Sequence, residues 1–240
     1  MSCRNSSFAN KDIMKIVATV RSLNESKNID RFCQCYSWVD QILIADGGSS
    51  DDTVSMALKY ENVHAYTFPD KIWHTDKIFS NPRGKHVNFL IDWAKRWKAD
   101  WMIFDDMDCV PTLDLQKWGR NIIEETPSDM IFAYRMYVIG QDEYFPDANI
   151  PGQSLWAWKI GVPVSGDESD PVVFTMKIPD TSRLNLLHPY SLLHYFYPDE
   201  ETARKKMELY GITGDAGGNP VHPRNIFGKV EKLPEWAKWR

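Results

Sequence analysis

Residues 100–111 read DWMIFDDMDCVP. Trp101 to Phe104 form an unbroken apolar run that ends in Asp105, Asp106 and Asp108, three acids within four positions. Apolar continuity without alternation marks a strand covered on both faces, as in a parallel sheet. Carboxylates this close repel one another, and taking them out of water is costly unless a cation or hydrogen bonds compensate. The stretch therefore predicts a buried strand that delivers acids to a place where positive charge is expected. Side chains alternate along a strand, so Asp105 is expected on the side opposite Asp106.

The same grammar runs upstream. KIVATV (15–20), QILIAD (41–46) and VHAYTF (63–68) read as three further strands. SKNIDRFCQCYSWV (26–39) has helical spacing, with Ile29, Phe32, Cys33 and Tyr36 on one face. DDTVSMALKY (51–60) reads as a short helix with Val54, Ala57 and Leu58 inward, and GKHVNFLIDWAKRW (84–97) as a helix striped by Val87, Leu90, Ile91 and Ala94. Strands alternating with helices predict βαβ units, an α/β class and a mostly parallel sheet flanked by helices. In such sheets ligands bind beyond the carboxyl ends of the strands. The segments there are RSLNE (21–25), DGGSSDDT (46–53) and DDMDCVP (105–111), all polar and all on one edge.

Downstream the pattern loosens. LQKWGRNIIEE (115–125) predicts a helix and MIFAYRMYVIG (130–140) a strand, while residues 141–185, rich in Pro, Gly and Asp, carry no clear period. DEETARKKMELYG (199–211) predicts a helix with acids first and bases later, as the helix dipole favours, ended by Gly211.

Composition excludes little but bounds the partners. The chain has 240 residues, 43% apolar and 25% charged, with a net charge of −5. That length allows one large domain or two small ones, and the acidic balance weighs against a nucleic-acid partner. No apolar run approaches the roughly 20 residues that span a bilayer. MSCRNSSFANKD at the start has no apolar signal core, and residues 1–13 are expected to be a flexible tail. Four cysteines, Cys3, Cys33, Cys35 and Cys109, form no CxxC pair, so a reduced, cytoplasmic setting is expected.

Each motif has an ordinary reading beside the chemical one. In DGGSSDDT, Asp46 ends a strand, the glycines permit a tight turn, and Ser50 or Asp51 can cap the next helix. Arg21, directly after a strand, points toward the same crevice. Asp106-Met107-Asp108 is a D-x-D pair that can hold Mg²⁺ or Mn²⁺, or merely be a solvated acidic turn. Arg83 and Lys85 stand at a helix start, where cations oppose the dipole; they suit a bound phosphate, or an ordinary basic loop. Trp156 and Trp158, in SLWAWKI, can stack on a sugar ring or pack a strand.

Together these motifs resemble the family 2 glycosyltransferases of the GT-A fold. The family pattern is an apolar strand, R-N-E or similar, a helix, and a strand ending in D-G-G/D-S-T-D-G-T; here it stands as TVRSLNES…VDQILIADGGSSDDT. A later strand ends in D-x-D, as FDDMDCVP does, and LLHYFYPDEETARKKMELYG (192–211) is similar to the family's H-Y element and its Lys/Arg helix. The resemblance covers roughly residues 15–211 and is strongest before Pro111. Asp52 stands where the pattern has Gly, and Pro111 comes early after the D-x-D.

What the resemblance implies is a GT-A (Rossmann-like) domain over residues 14–240, with a nucleotide-sugar half (14–111) and an acceptor half (112–240). It implies a metal-dependent transferase, using Mn²⁺ or Mg²⁺, that moves a sugar from a nucleotide-sugar donor to a glycan hydroxyl with inversion. Asp46 would contact the base, with Glu25 and Arg21 nearby. Asp106 would meet ribose or metal-bound water, Asp108 the metal, and His194 the metal or the diphosphate. Arg83, Lys85 and Asn88 match the region that touches the diphosphate. The general base is sought among Asp147, Asp167, Glu168 and Asp170, with Asp167 preferred. Two rival readings stand beside this one. DMDCV is also similar to haloacid dehalogenase-type phosphatases, with Asp106 as nucleophile, and a non-catalytic sugar- or nucleotide-binding protein would keep the fold without the chemistry.

Overall fold

In the computed structural model the four apolar runs become β1 (Ile16–Ser22), β2 (Gln41–Asp46), β3 (Val63–Thr67) and β4 (Trp101–Asp106), all parallel. The structure describes residues 13–67, 83–140, 142–144, 153–168, 176–197 and 231–237. The expected helix over 199–211, and Asp147 and Asp170, lie outside these residues. The amphipathic connections become α1 (Ile29–Cys35), α2 (Thr53–Ala57) and α3 (Arg83–Arg96).

The spatial order of these strands is β3-β2-β1-β4. Two crossovers step one way, and the third, through α3, returns past β1 to its other side. A topological switch point therefore falls between β1 and β4, where open α/β sheets bind ligands.

The second half extends the sheet with β5 (Cys109–Pro111), β6 (Met130–Ile139), β7 (Glu143–Tyr144), β8 (Gln153–Lys159), β11 (Arg183–Asn185), β12 (Ser191–Tyr197) and β13 (Glu231–Lys232). A helix, α4 (Leu113–Glu125), joins β5 to β6, and β9 (Ser165–Gly166) pairs with β10 (Met176–Lys177) as a separate ribbon. Beyond β4 the sheet turns mixed: β8 is antiparallel to β4 and to β6, while β12 is parallel to β6 and antiparallel to β5.

Strand alternation splits the core in two. Ile16, Ala18, Val20, Ile42, Ile44, Trp101 and Ile103 face α1 and α2, whereas Val17, Leu43, Ala45, Met102 and Phe104 face α3. The expected stripes of α1 and α3 are buried as read: Ile29, Phe32, Cys33 and Tyr36 on one, Val87, Leu90, Ile91 and Ala94 on the other. The α2 stripe differs. This helix is a single turn, Ala57 is buried, and Leu58, expected inside, is 58% exposed just past its end. Among the described residues no helix is long and apolar enough to cross a membrane.

Candidate active site

Register builds the site. Arg21 on β1 is the direct neighbour of Asp106 on β4, across the switch point. The two side chains share the α3 side of the sheet, and Arg21 Nη2 lies 3.4 Å from Asp106 Oδ1. Asp105, one residue back, points to the other face, as alternation requires. There it is fully buried and accepts a hydrogen bond from Tyr36 Oη at 2.6 Å. Tyr36 in turn accepts one from Trp156 Nε1 at 3.2 Å.

Arg135 from β6 joins the two acids. Its Nη1 donates to Asp106 Oδ2 at 2.9 Å and its Nη2 to Asp105 Oδ1 at 3.3 Å. Burial raises the Asp105 pKa, and Arg135 opposes it. Burial also works against the charge on Asp106, but Arg135 and Arg21 outweigh it and hold that carboxyl below the usual range. The same exchange raises Arg135: burial would lower it, and the surrounding acids, Asp106 and Asp105 among them, win.

Two residues beyond the strand end, Asp108 meets His194. His194 on β12 is the register partner of Cys109 on β5 and of Tyr137 on β6. Its Nε2 lies 3.2 Å from Asp108 Oδ1, and its ring packs 5.0 Å from that of Tyr137. One donor atom each from Asp106, Asp108, Cys109 and His194 falls within 4.8 Å of the others, a group that could hold a metal ion. The donor chemistry fits a hard divalent ion. Burial raises the Cys109 thiol well above its usual range, with Arg135 pulling the other way. The two carboxylates and the imidazole of this group are ordinary ligands of a divalent cation.

The β1–α1 and β2–α2 loops are locked together. Asn24 N–H donates to Ser49 Oγ, Ser50 N–H to Asn24 Oδ1, Glu25 N–H to Thr53 Oγ1 and Ser26 N–H to Asp51 Oδ2, at 2.8, 2.8, 2.7 and 3.1 Å. Asp46, expected to meet a nucleotide base, belongs to this lock instead. It is fully buried and accepts from the Ser22 hydroxyl, the backbone N–H of Gly48 and Ser49, and the Ser49 hydroxyl. A carboxylate has about four acceptor sites, and its own turn together with Ser22 on β1 fills them. Glu25 stays partly exposed at the same edge, its Oε2 accepting from Asn28 Nδ2 at 2.7 Å.

The start of α3 carries a different surprise. Asn88, expected on a diphosphate, brackets β9: its Oδ1 accepts Gly166 N–H at 2.8 Å, and its Nδ2 donates to Gly166 O at 3.2 Å and to Glu168 Oε1 at 2.7 Å. Both of its polar atoms are therefore used inside the protein. Gly84 and Gly166 let the two backbones touch; a Cβ on Gly166 would sit 2.5 Å from Gly84 O. This clamp sets Asp167 against the first turn of α3, with Lys177 Nζ 3.4 Å from its carboxylate. Lys85 is exposed on that turn, and the Arg83 side chain is outside the described residues. His86 is buried there; burial first, then Arg21, brings its pKa down to about 4, so the turn lies on the Arg21 side of the sheet edge.

Trp156 is a correction. It has 0% exposure and packs 6.5 Å from Trp38, with its N–H committed to Tyr36, so neither face is open to a sugar. Reading the sequence also missed Arg135, Tyr36 and His86. An Arg inside the apolar run MIFAYRMYVI was the one available signal for Arg135.

The parallel β3-β2-β1-β4 core, its flanking helices and the mixed extension make a GT-A fold. No protein-family model matches the chain, and no curated protein matches it. Among solved structures it is similar to S. aureus TarS 1-349, with a TM-score of 0.53 and 15% identity over 83% of this chain and 65% of that one. It is similar also to S. aureus TarS (TM-score 0.54, 15% identity, 83% and 39% of the two chains). TarS 1-349 in complex with UDP gives a TM-score of 0.54 and 14% identity, again over 83% and 65%. The chain thus spans less than two thirds of the length of these proteins, and at such identities the likeness shows the fold.

Proposed function

We propose that the chain is a metal-dependent, family 2-like glycosyltransferase that moves a sugar from a nucleotide-sugar donor to a hydroxyl of a glycan or other acceptor, with inversion. The observation that carries this reading is the gathering of Asp106 and Asp108, at the end of β4, with His194 from β12, at the switch-point edge of the sheet. UDP bound to a protein of the same fold makes UDP-linked donors the first to try.

Asp108 and His194 would hold the divalent ion, and Asp106 would meet the ribose or metal-bound water. When bound, the ion neutralises charge on the departing diphosphate. Arg21 adds a fixed positive charge at the same edge, preorganised by its pairing with Asp106. With Asp46 filled, Glu25 is the acid left to meet the base. Asp167, held at the α3 turn, takes the proton of the acceptor hydroxyl as general base, and Lys85 reaches the diphosphate from the same turn.

The test is release of nucleoside diphosphate from a panel of UDP-, GDP- and dTDP-sugars with Mn²⁺. Release from one donor class, reduced at least about 100-fold in Asp108→Ala, is the expected result. Hydrolysis of sugar phosphates in place of nucleotide sugars, dependent on Asp106, would hand the site to the phosphatase reading.

A further inference from the structure

Arg135 is the one charged residue in the ten of β6, and its partners come from another strand. Its side chain is 15% exposed, and Asp105 beneath it is not exposed at all. The contacts close a ring. Arg135 Nη2 donates to Asp105 Oδ1, the same oxygen accepts the Asp106 backbone N–H at 2.9 Å, and Arg135 Nη1 returns to Asp106 Oδ2 at 2.9 Å. Tyr36 pins the far oxygen of Asp105 from the opposite face of the sheet. Nothing in this ring is free to rotate without breaking a bond to a buried charge.

We propose that Arg135 is a positioning residue for the transfer reaction: its planar fork fixes the Asp106 carboxylate in the orientation in which it meets the donor. The inference rests on the transferase reading of the same cluster. Two separate contributions follow from the geometry. The positive charge of Arg135 compensates buried Asp105, which serves the fold. The two prongs, spaced by the guanidinium plane, set the angle of Asp106, which serves binding. An ammonium can supply the first and not the second, because it is a point charge without a fixed fork.

Arg135→Lys therefore separates them. The variant should melt in one cooperative transition near that of the wild type, since the cluster keeps its net charge. It should bind nucleoside diphosphate with Mn²⁺ about 10–100-fold more weakly, the scale of loss that a misplaced contact brings. The measurement is calorimetric titration with Mn²⁺ alone, then with UDP, GDP, CDP and dTDP in saturating Mn²⁺. If Arg135→Lys does not fold, the neutral pair Asp105→Asn with Arg135→Gln decides, since it removes the buried Asp105 charge together with its partner and lacks the fork; the same weakening is expected. Wild-type nucleotide affinity in whichever variant folds overturns the inference. A wild-type chain that binds none of the four nucleotides removes the transferase reading itself, a separate failure read before any variant is made.

Discussion

At the scale of single residues, what matters is which polar atoms are already spent. Asp46 and Asp106 look alike in sequence, each closing a strand. One has three donors from its own turn and a fourth from Ser22 on β1, and the other faces two arginines with a third of its side chain open. That difference depends on Ser22 and Ser49 on one side and on register with Arg21 and Arg135 on the other. His86 carries a prediction of its own. Its folded pKa is about 4 against an ordinary 6.5. Between these values the unfolded chain binds a proton that the folded chain refuses, so stability falls as pH drops through that window and is level above it. Urea unfolding at pH 4.5 and 7.5 should show a smaller difference in His86→Gln than in the wild type; an identical difference would show that His86 is not the group responsible.

At the scale of elements, the βαβ half was legible, and so were α4 and β6 beyond it, whereas the short strands of the second half were not. Four apolar runs and two helical stripes were read correctly because burial on both faces leaves a local, continuous signature. The short strands β7, β9, β10 and β11, of two or three residues each, are too brief for any period to show. Their place is set by partners far along the chain, as Gly166 is set by Asn88. That clamp makes a second prediction. Gly166→Ala puts a methyl group against the Gly84 backbone, which cannot yield as a flexible side chain would. Overpacking of this kind costs about 1–3 kcal/mol. Chemical denaturation should read a loss in that range, and donor turnover should fall more than the loss of folded protein explains, because Asp167 moves with β9. Wild-type stability and turnover together would show the contact to be slack.

At the scale of the whole molecule, the sheet acts as the frame that converts distant segments into one site. Arg21, Asp106, Asp108, Arg135 and His194 come from five positions spread over more than 170 residues, and strand register alone brings them together. The resemblance in sequence named His194; Arg135 needed the fold, because its neighbours are fixed by the pairing of β12 with β5 and β6. The GT-A architecture is shared with TarS at 15% identity. Covering both sheet faces and placing polar loops at one edge constrain the sequence only loosely, which is why the fold outlasts recognisable identity.

The most direct measurement is thermal melting of the full chain with UDP, GDP, CMP and dTDP nucleotides, each with and without Mn²⁺. A ligand at 100 times its Kd stabilises by about 2.7 kcal/mol, a visible rise in Tm. The prediction is a rise with one nucleotide that requires Mn²⁺ and disappears in Asp108→Ala. A rise with no nucleotide, but with a phosphate mimic and Mg²⁺, would contradict the assignment of the Asp106–Asp108–His194 cluster to a nucleotide-sugar donor.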